Sequence, residues 1–277
     1  MKVANIIFND PTFDVKNSYL QSIKSYSDSM SSTNKDTINK WVSDKTNGMI
    51  KSIDVDQGVD VVFINALYFN DKWKKQFDKS LTNDSRFINN TGNAYKVRMM
   101  YKKDDYMYYS NNIFQSIELE YDGSFSMIII LPRKNINPAK LFRKDAELKI
   151  IRQQMKVQEV ELRIPKFEYE SELELSDVLK KMDTRIFSNN YGRLSDNKTF
   201  IYKIIQKCKI QLDEHGTKAA AVTAVVTFNS ALPSEHENIV FTADHPFLFY
   251  IIYRPQYRGR DTATFDILLT GIFNGSS

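Results

Sequence analysis

Apolar positions cluster from the first residues: Val3 to Phe8 reads as a strand, and Asn9-Asp10-Pro11 breaks it. From Val15 to Tyr26 the apolar side chains Val15, Tyr19, Leu20, Ile23 and Tyr26 fall at helical spacing, and Ser29 to Lys35 is polar and loop-like. A second helix carries Ile38, Trp41, Val42 and Met49-Ile50, with Thr33 or Asn34 as its cap and Gly48 near its end. Val59 to Phe69 is almost continuously hydrophobic, the mark of a central strand covered on both faces. Asn65 in its middle needs a hydrogen-bond partner, so either a buried polar cluster or a shifted register is expected there.

Polar alternating strands follow from Arg86 to Tyr109. Ile113 to Leu119 and Phe125 to Leu131 flank Tyr121-Asp122-Gly123-Ser124, a hairpin signal. Pro138 to Met155 has helical period through Leu141, Phe142, Leu148 and Ile151. Val157 to Pro165 alternates as a half-buried strand, Leu175 to Ile186 returns to helix, and Phe200 to Asp213 is a long strand. Ile239 to Phe241, Pro246 to Tyr253 and Phe265 to Phe273 close the chain as strands. No repeat, low-complexity tract or linker divides residues 1–277, so the pattern predicts one α+β domain.

Composition narrows the function by exclusion. The net charge of +4 is mild, and the basic run Lys72-Trp73-Lys74-Lys75 has Asp71 and Asp78 beside it. That is a solvated face rather than a polyanion site, and no nucleic-acid partner is expected. The single cysteine, Cys208, excludes an intramolecular disulfide, and within Ile204 to Ile210 it reads as a packed thiol. No apolar run reaches the length of a membrane span, and the apolar core of Met1 to Asp10 is too short for a secretion signal. The N-x-Ser/Thr triplets starting at Asn83, Asn89, Asn197 and Asn274 carry little weight without export, so the expected compartment is the cytoplasm. His215, His236 and His245 lack metal-ligand spacing, no G-x-S-x-G elbow marks a nucleophile, and the nine glycines form no phosphate loop. Glu118 with Glu120, and Glu172 with Glu174, are explained by alternation on an element's face. No catalytic residue, metal or cofactor is expected.

One stretch resists a single assignment. Asp213-Glu214-His215-Gly216-Thr217-Lys218-Ala219-Ala220-Ala221-Val222-Thr223-Ala224 passes from helix-favouring alanines to strand-favouring Val and Thr. In company with other motifs it gains a meaning. Asn39-Lys40-Trp41-Val42 with Thr46-Asn47-Gly48, Asn65 to Phe77, Met99-Met100-Tyr101, Ser126 to Pro132, Ile164-Pro165-Lys166-Phe167 and Ala243-Asp244-His245-Pro246-Phe247 occur in an order and spacing that resemble the serpin family over nearly the whole chain. The Asn- and Tyr-rich chain is most similar to the poxvirus members.

The resemblance implies a large central mixed β-sheet, smaller sheets, surrounding helices and an exposed reactive-centre loop at about 214–238. It also implies function. A serpin offers the loop as bait to a serine or cysteine protease, is cut and acylates it, and then inserts the loop as an extra strand of the main sheet. Insertion demands side chains alternating between a buried and an exposed face. With Thr217 inward, Ala219, Ala221 and Thr223 also face the core, and Ala220 lies beside them. All are small and uncharged, whereas an inward charge costs on the order of several kcal/mol. Lys218 stands where the family usually has an acid, on the outward, tolerant face.

Counting from Glu214 places the scissile bond at Ser230-Ala231, with Phe228, Asn229 and Leu232 as alternatives. Ser230 points to an elastase-like protease and Phe228 to a chymotrypsin- or cathepsin-G-like one. The absence of Asp, Arg and Lys near the bond argues against caspase, granzyme-B-like and trypsin-like targets. Glu214 and Lys166 match the family's salt bridge at the top of the sheet, and Asn65, Trp73 and Gln206 stand at positions that control its opening. At Gln206 the family usually has a histidine. The chain also begins at what resembles the second strand of the main sheet, without the helices that precede it in a typical member. Two functions are therefore expected to compete: a monomeric inhibitor of host immune or apoptotic proteases, and a truncated, non-inhibitory remnant that binds a protein or is merely cleaved.

Overall fold

The apolar runs become strands in the structure, a computed structural model that describes residues 2–32, 34–55, 60–182, 192–196, 201–217, 238–257, 260–261 and 264–275. The chain opens with β1 (Lys2–Asn9), α1 (Asn17–Ile23), β2 (Asp28–Ser31), α2 (Lys35–Lys45), β3 (Val61–Phe69) and β4 (Asp71–Lys72). There follow β5 (Asn83–Ile88), β6 (Ala94–Ser110), β7 (Phe114–Glu120), β8 (Phe125–Pro132), α3 (Asp145–Gln154) and β9 (Lys156–Pro165). Then come β10 (Phe167–Glu174), α4 (Ser176–Met182), β11 (Ile201–Asp213) and β12 (Gly216–Thr217). The last strands are β13 (Ile239–Thr242), β14 (Phe247–Tyr253), β15 (Gln256–Tyr257), β16 (Arg260–Asp261) and β17 (Asp266–Phe273). Two compact units form: Met1–Asn70 with Tyr169–Ile210, and Asp71–Glu168 with Gln211–Ser277.

In the first unit the strand order is β2-β1-β3-β11, with β10 on β11. The sheet is mixed: β2 lies parallel to β1, β1 antiparallel to β3, and β3 parallel to β11. On one face Ile38, Trp41 and Val42 of α2 cover Ile6, Phe8, Val62, Ile64, Ala66 and Ile205. On the other, Tyr19, Leu20 and Ile23 of α1 cover Ile7, Val61 and Phe63. The Asn34 side chain caps α2 by accepting from the Thr37 amide at 3.0 Å. The helix stops at Lys45 because Asn47 (φ 54°) and Gly48 (φ 73°) turn left-handed, so Met49 and Ile50 fall beyond it although both are buried.

Three expectations change here. The expected loop at Ser29 to Lys35 begins as strand β2, a polar edge strand held by its register with β1, where only Met30 reaches the core. Edge strands need no apolar alternation, which hid this one. The helix expected over Val15 to Tyr26 is confined to α1, and α4 ends at Met182, with the remainder of the helix expected to Ile186 outside the described residues. Strand β10 was not expected at all. Its carboxylates hold it to β11: Lys207 bridges Glu170 at 3.0 Å and Glu172 at 2.9 Å, and Lys209 reaches Glu170 at 3.1 Å.

The second unit is built on the strand order β13-β9-β6-β7-β8-β14-β17, with β5 on β6. The expected hairpin is present, with Glu118 facing Ile128 across β7 and β8. Helix α3 packs Leu148 and Ile151 on Ile128, Ile130, Leu248, Tyr250 and Ile252. The helix expected over Pro138 to Met155 is interrupted: a short 3₁₀ turn (Pro138–Leu141) precedes α3. A tertiary contact breaks it, since the Arg143 amide donates to the Tyr250 hydroxyl at 2.8 Å. The buried Glu118 carboxylate is paired with Arg152 at 2.8 Å.

Candidate functional site

The stretch that defied assignment begins within the second unit as an ordered turn. Leu212 and Asp213 end β11, Glu214 and His215 reverse the chain, and β12 runs back antiparallel. Leu212 pairs with Thr217 and Asp213 with Gly216; on its other edge β12 pairs with β4, Gly216 to Lys72 and Thr217 to Asp71. Only glycine fits at Gly216. Its φ is 141°, and a Cβ there would lie 2.2 Å from the Asp71 carbonyl oxygen.

Glu214 anchors the turn. Its side chain is 3% exposed and accepts from Lys166 Nζ at 2.7 Å and from Thr82 Oγ1 at 2.8 Å. Its carbonyl accepts from the Phe77 amide at 2.9 Å. Burial pushes the carboxyl up, but the Lys166 and Thr82 hydrogen bonds outweigh it and hold Glu214 below the usual carboxylate range. Trp73 clamps the turn from its flank: the indole Nε1 donates to the Asp213 carbonyl and the Trp73 amide to the His215 carbonyl, both at 2.9 Å. His215 Nδ1 faces Gln76 Oε1 at 3.1 Å. Tyr121 stacks on Trp73 with centroids 4.3 Å apart and 14° between planes. The Tyr121 hydroxyl lies 3.2 Å from the hydroxyl of Thr217, which is fully buried.

Trp73, Lys166, Glu214, Gly216 and Thr217, all named from the sequence, are thus brought together. Thr82, Gln76 and Tyr121 were missed. Tyr121 was assigned only to a hairpin turn, and nothing local links it to Thr217, 96 residues away. Lys218, Ala219, Ala220, Ala221, Thr223, Phe228, Asn229, Ser230, Ala231 and Leu232 lie outside the described residues, as does the proposed scissile bond.

Within the first unit, Asn65 and Gln206 also meet. The register aligns Asn5, Asn65 and Gln206 across β1, β3 and β11. Asn65 Nδ2 donates to Asn5 Oδ1 at 2.7 Å, Gln206 Nε2 to Asn65 Oδ1 at 3.1 Å, and Asn5 Nδ2 to the Tyr26 carbonyl at 2.9 Å. A polar cluster therefore answers the demand of Asn65. Asn5 was missed, although its place on the Val3-Asn5-Ile7 face was a readable signal.

Among the described residues no group of three or more His, Cys, Asp or Glu is placed to hold a metal ion, and no helix is long and apolar enough to cross a membrane. Burial pushes the Cys208 thiol up to about 12, which leaves it protonated and unreactive near neutral pH. The arrangement at Glu214 to Thr217 is mechanical: a two-residue strand seated between β11 and β4, from whose end the chain runs on into Lys218.

Comparison with known proteins bears on what such a strand is for. Residues 1–258 match the family model for Serpin (serine protease inhibitor). Antichymotrypsin-2 of Bombyx mori is 34% identical over 253 residues, covering 86% of this chain and 66% of that protein. Leukocyte elastase inhibitor of Bos taurus is 30% identical, covering 92% of this chain and 74% of that one. In structure, native protease nexin-1 with heparin superposes with a TM-score of 0.83 at 25% identity, over 99% of this chain and 76% of that one. The chain spans about two thirds of the length of the first of these relatives.

Proposed function

The chain belongs to the serpin family, and from that premise we propose that it is a suicide inhibitor of a serine protease that traps its target by loop cleavage and strand insertion. The protease serine attacks the carbonyl carbon of Ser230, the amine of Ala231 leaves, and an ester joins protease to loop. The loop then enters between β3 and β11, which pair in parallel from Val61 and Ile201 onward. An antiparallel strand between them gains hydrogen bonds on both edges, and deacylation fails if the attached protease is distorted before water attacks.

The observation that carries this reading is the state of Thr217: fully buried, hydrogen-bonded to Tyr121, and already paired antiparallel on both sides of β12. It supports an inward register for Ala219, Ala221 and Thr223. The target is an elastase-, cathepsin-G- or chymotrypsin-like protease. Ser230 and Phe228 support that class, and the relatives named antichymotrypsin and leukocyte elastase inhibitor are consistent with it. Action in a reducing cytoplasm rests on cysteine usage, a single buried Cys208. The Asn- and Tyr-rich chain supports a poxvirus-like role against host immune or apoptotic proteases.

A second reading is favoured by the first unit's sheet. Around the Asn5–Asn65–Gln206 row, Phe63, Asn65, Ile204 and Gln206 are only half-buried, and a cleft of about 290 Å³ opens there. A sheet with an incompletely covered face supports a non-inhibitory serpin that binds a protein or is simply cleaved. Incubation with elastase, cathepsin G and chymotrypsin separates the two. The inhibitor gives a denaturant-resistant complex that Thr217→Arg abolishes, whereas clean cleavage of the loop without complex supports the second reading.

A further inference from the structure

Within the second unit a chain of charges runs from α3 to the clamp on the hinge. Arg152 of α3 pairs with Glu118 of β7 at 2.8 Å, and Glu118 lies 3.8 Å from Arg254, the residue after β14. Arg254 pairs with Glu120 at 2.8 Å, and Glu120 with Lys74 at 2.6 Å. The signs alternate along all five side chains. At the α3 end they are buried: the side chains of Arg152, Glu118 and Arg254 are 11%, 1% and 9% exposed, so solvent screens their attraction little. At the hinge end Glu120 holds Lys74 twice, by its carboxylate and by its carbonyl, which accepts the Lys74 amide at 2.9 Å. The neighbouring Trp73 bridges to Tyr121 and donates to Asp213 and His215 of the hinge. Burial pushes the Glu120 carboxyl up, but Lys74 and Arg254 outweigh it and hold it below the usual carboxylate range.

We propose that these five side chains form an ionic relay by which the seating of α3 sets how tightly Trp73 holds the hinge, with Arg254 as the positioning residue at its centre. Arg254 stands between two carboxylates. While Arg152 satisfies Glu118, Arg254 holds one oxygen of Glu120 and Lys74 holds the other, which fixes Lys74 and the adjoining Trp73. If α3 lifts, Glu118 is a buried charge left with Arg254, and it draws the guanidinium in from 3.8 Å and away from Glu120. A replacement donor is at hand for Glu120: the Ser126 hydroxyl, directly across β7 and β8, is fully buried and has no partner among the described residues. The relay belongs to the intact chain and operates whether or not the loop traps a protease.

Native-state amide exchange of the full chain tests it at the Trp73 amide, bonded to the His215 carbonyl. The Ile88 amide, bonded to the Asp244 carbonyl, is the reference within the same unit. Relative to that reference, Arg254→Met should speed exchange at Trp73 about threefold to tenfold, and Arg254→Lys should restore most of the protection. Arg152→Met should also speed it, and adding Glu118→Gln should reverse that effect, because a neutral side chain no longer draws Arg254 away. Lost packing of α3 alone would leave Trp73 fast in the double variant. Glu120→Gln, at a half-exposed carboxylate, keeps the fold and should speed Trp73 exchange as Arg254→Met does. Unchanged Trp73 exchange in Arg254→Met and Glu120→Gln overturns the relay, as does exchange in Arg152→Met that stays fast when Glu118→Gln is added.

Discussion

Glu214→Gln keeps the shape of the hinge anchor and removes its charge. The carboxylate of Glu214 accepts from Lys166 Nζ and Thr82 Oγ1, one oxygen each. A hydrogen bond to a charged group contributes about 1.5–3 kcal/mol net. Lys166, however, is 36% exposed and recovers water when its partner is neutralised, which places the loss near the low end. We expect about 1.5–2 kcal/mol, and at 1.36 kcal/mol per factor of ten the turn opens some tenfold to thirtyfold more often. Native-state hydrogen exchange reads this directly at two amides: Phe77, bonded to the Glu214 carbonyl, and Trp73, bonded to the His215 carbonyl. Both should lose protection by that factor. The sign of the pH dependence follows from the depressed acid. Its stabilisation is fully present above the ordinary 4.5 and is lost as pH falls through the folded-state value. Wild type and Glu214→Gln should therefore begin to converge as pH falls below the ordinary 4.5 and meet only below the depressed folded-state value. Unchanged exchange at both amides, or a difference that persists in acid, refutes the anchoring role.

Other expectations follow from the same geometry. Gly216→Ala must place a Cβ 2.2 Å from backbone oxygen, so β12 should detach, with loss of Trp73 amide protection and roughly 2 kcal/mol or more of stability in a urea titration. Asn65→Ala strips the partners from Asn5 and Gln206 and should cost about 1–3 kcal/mol by the same titration. Arg152→Met leaves the buried Glu118 carboxylate short of its 2.8 Å partner; about 3 kcal/mol should be lost, with part of it regained by Glu118→Gln in the double variant.

Much of the fold was legible because period-two alternation and continuous apolar runs report burial directly, as for β3, β8 and β14. What escaped was set by partners far away in sequence. Strand β2 is a polar edge whose hydrogen bonds come from β1 and whose side chains announce nothing, whereas β10 alternates Phe167, Tyr169, Ser171 and Leu173 with glutamates, a period-two signal legible in the sequence. The break before α3 depends on the Tyr250 hydroxyl, 107 residues from Arg143. At the site, Glu214, Gly216, Thr217, Trp73 and Lys166 were readable because ordered motifs carry their roles. Tyr121 and Thr82 are held there by tertiary contacts alone, as is Asn5 in the polar row. The rare requirement at Gly216 is visible only once Asp71 is seen beside it.

The central claim is that the segment after Thr217 can become a strand of the sheet once cut. Its most direct test is thermal melting of the full chain before and after a single cleavage within residues 218–237 by a protease that it does not trap. Insertion adds hydrogen bonds along both edges of a new strand, so the cleaved protein should melt far above the intact one, and Thr217→Arg should erase the gain. A cleaved protein that melts at or below the temperature of the intact chain contradicts the account.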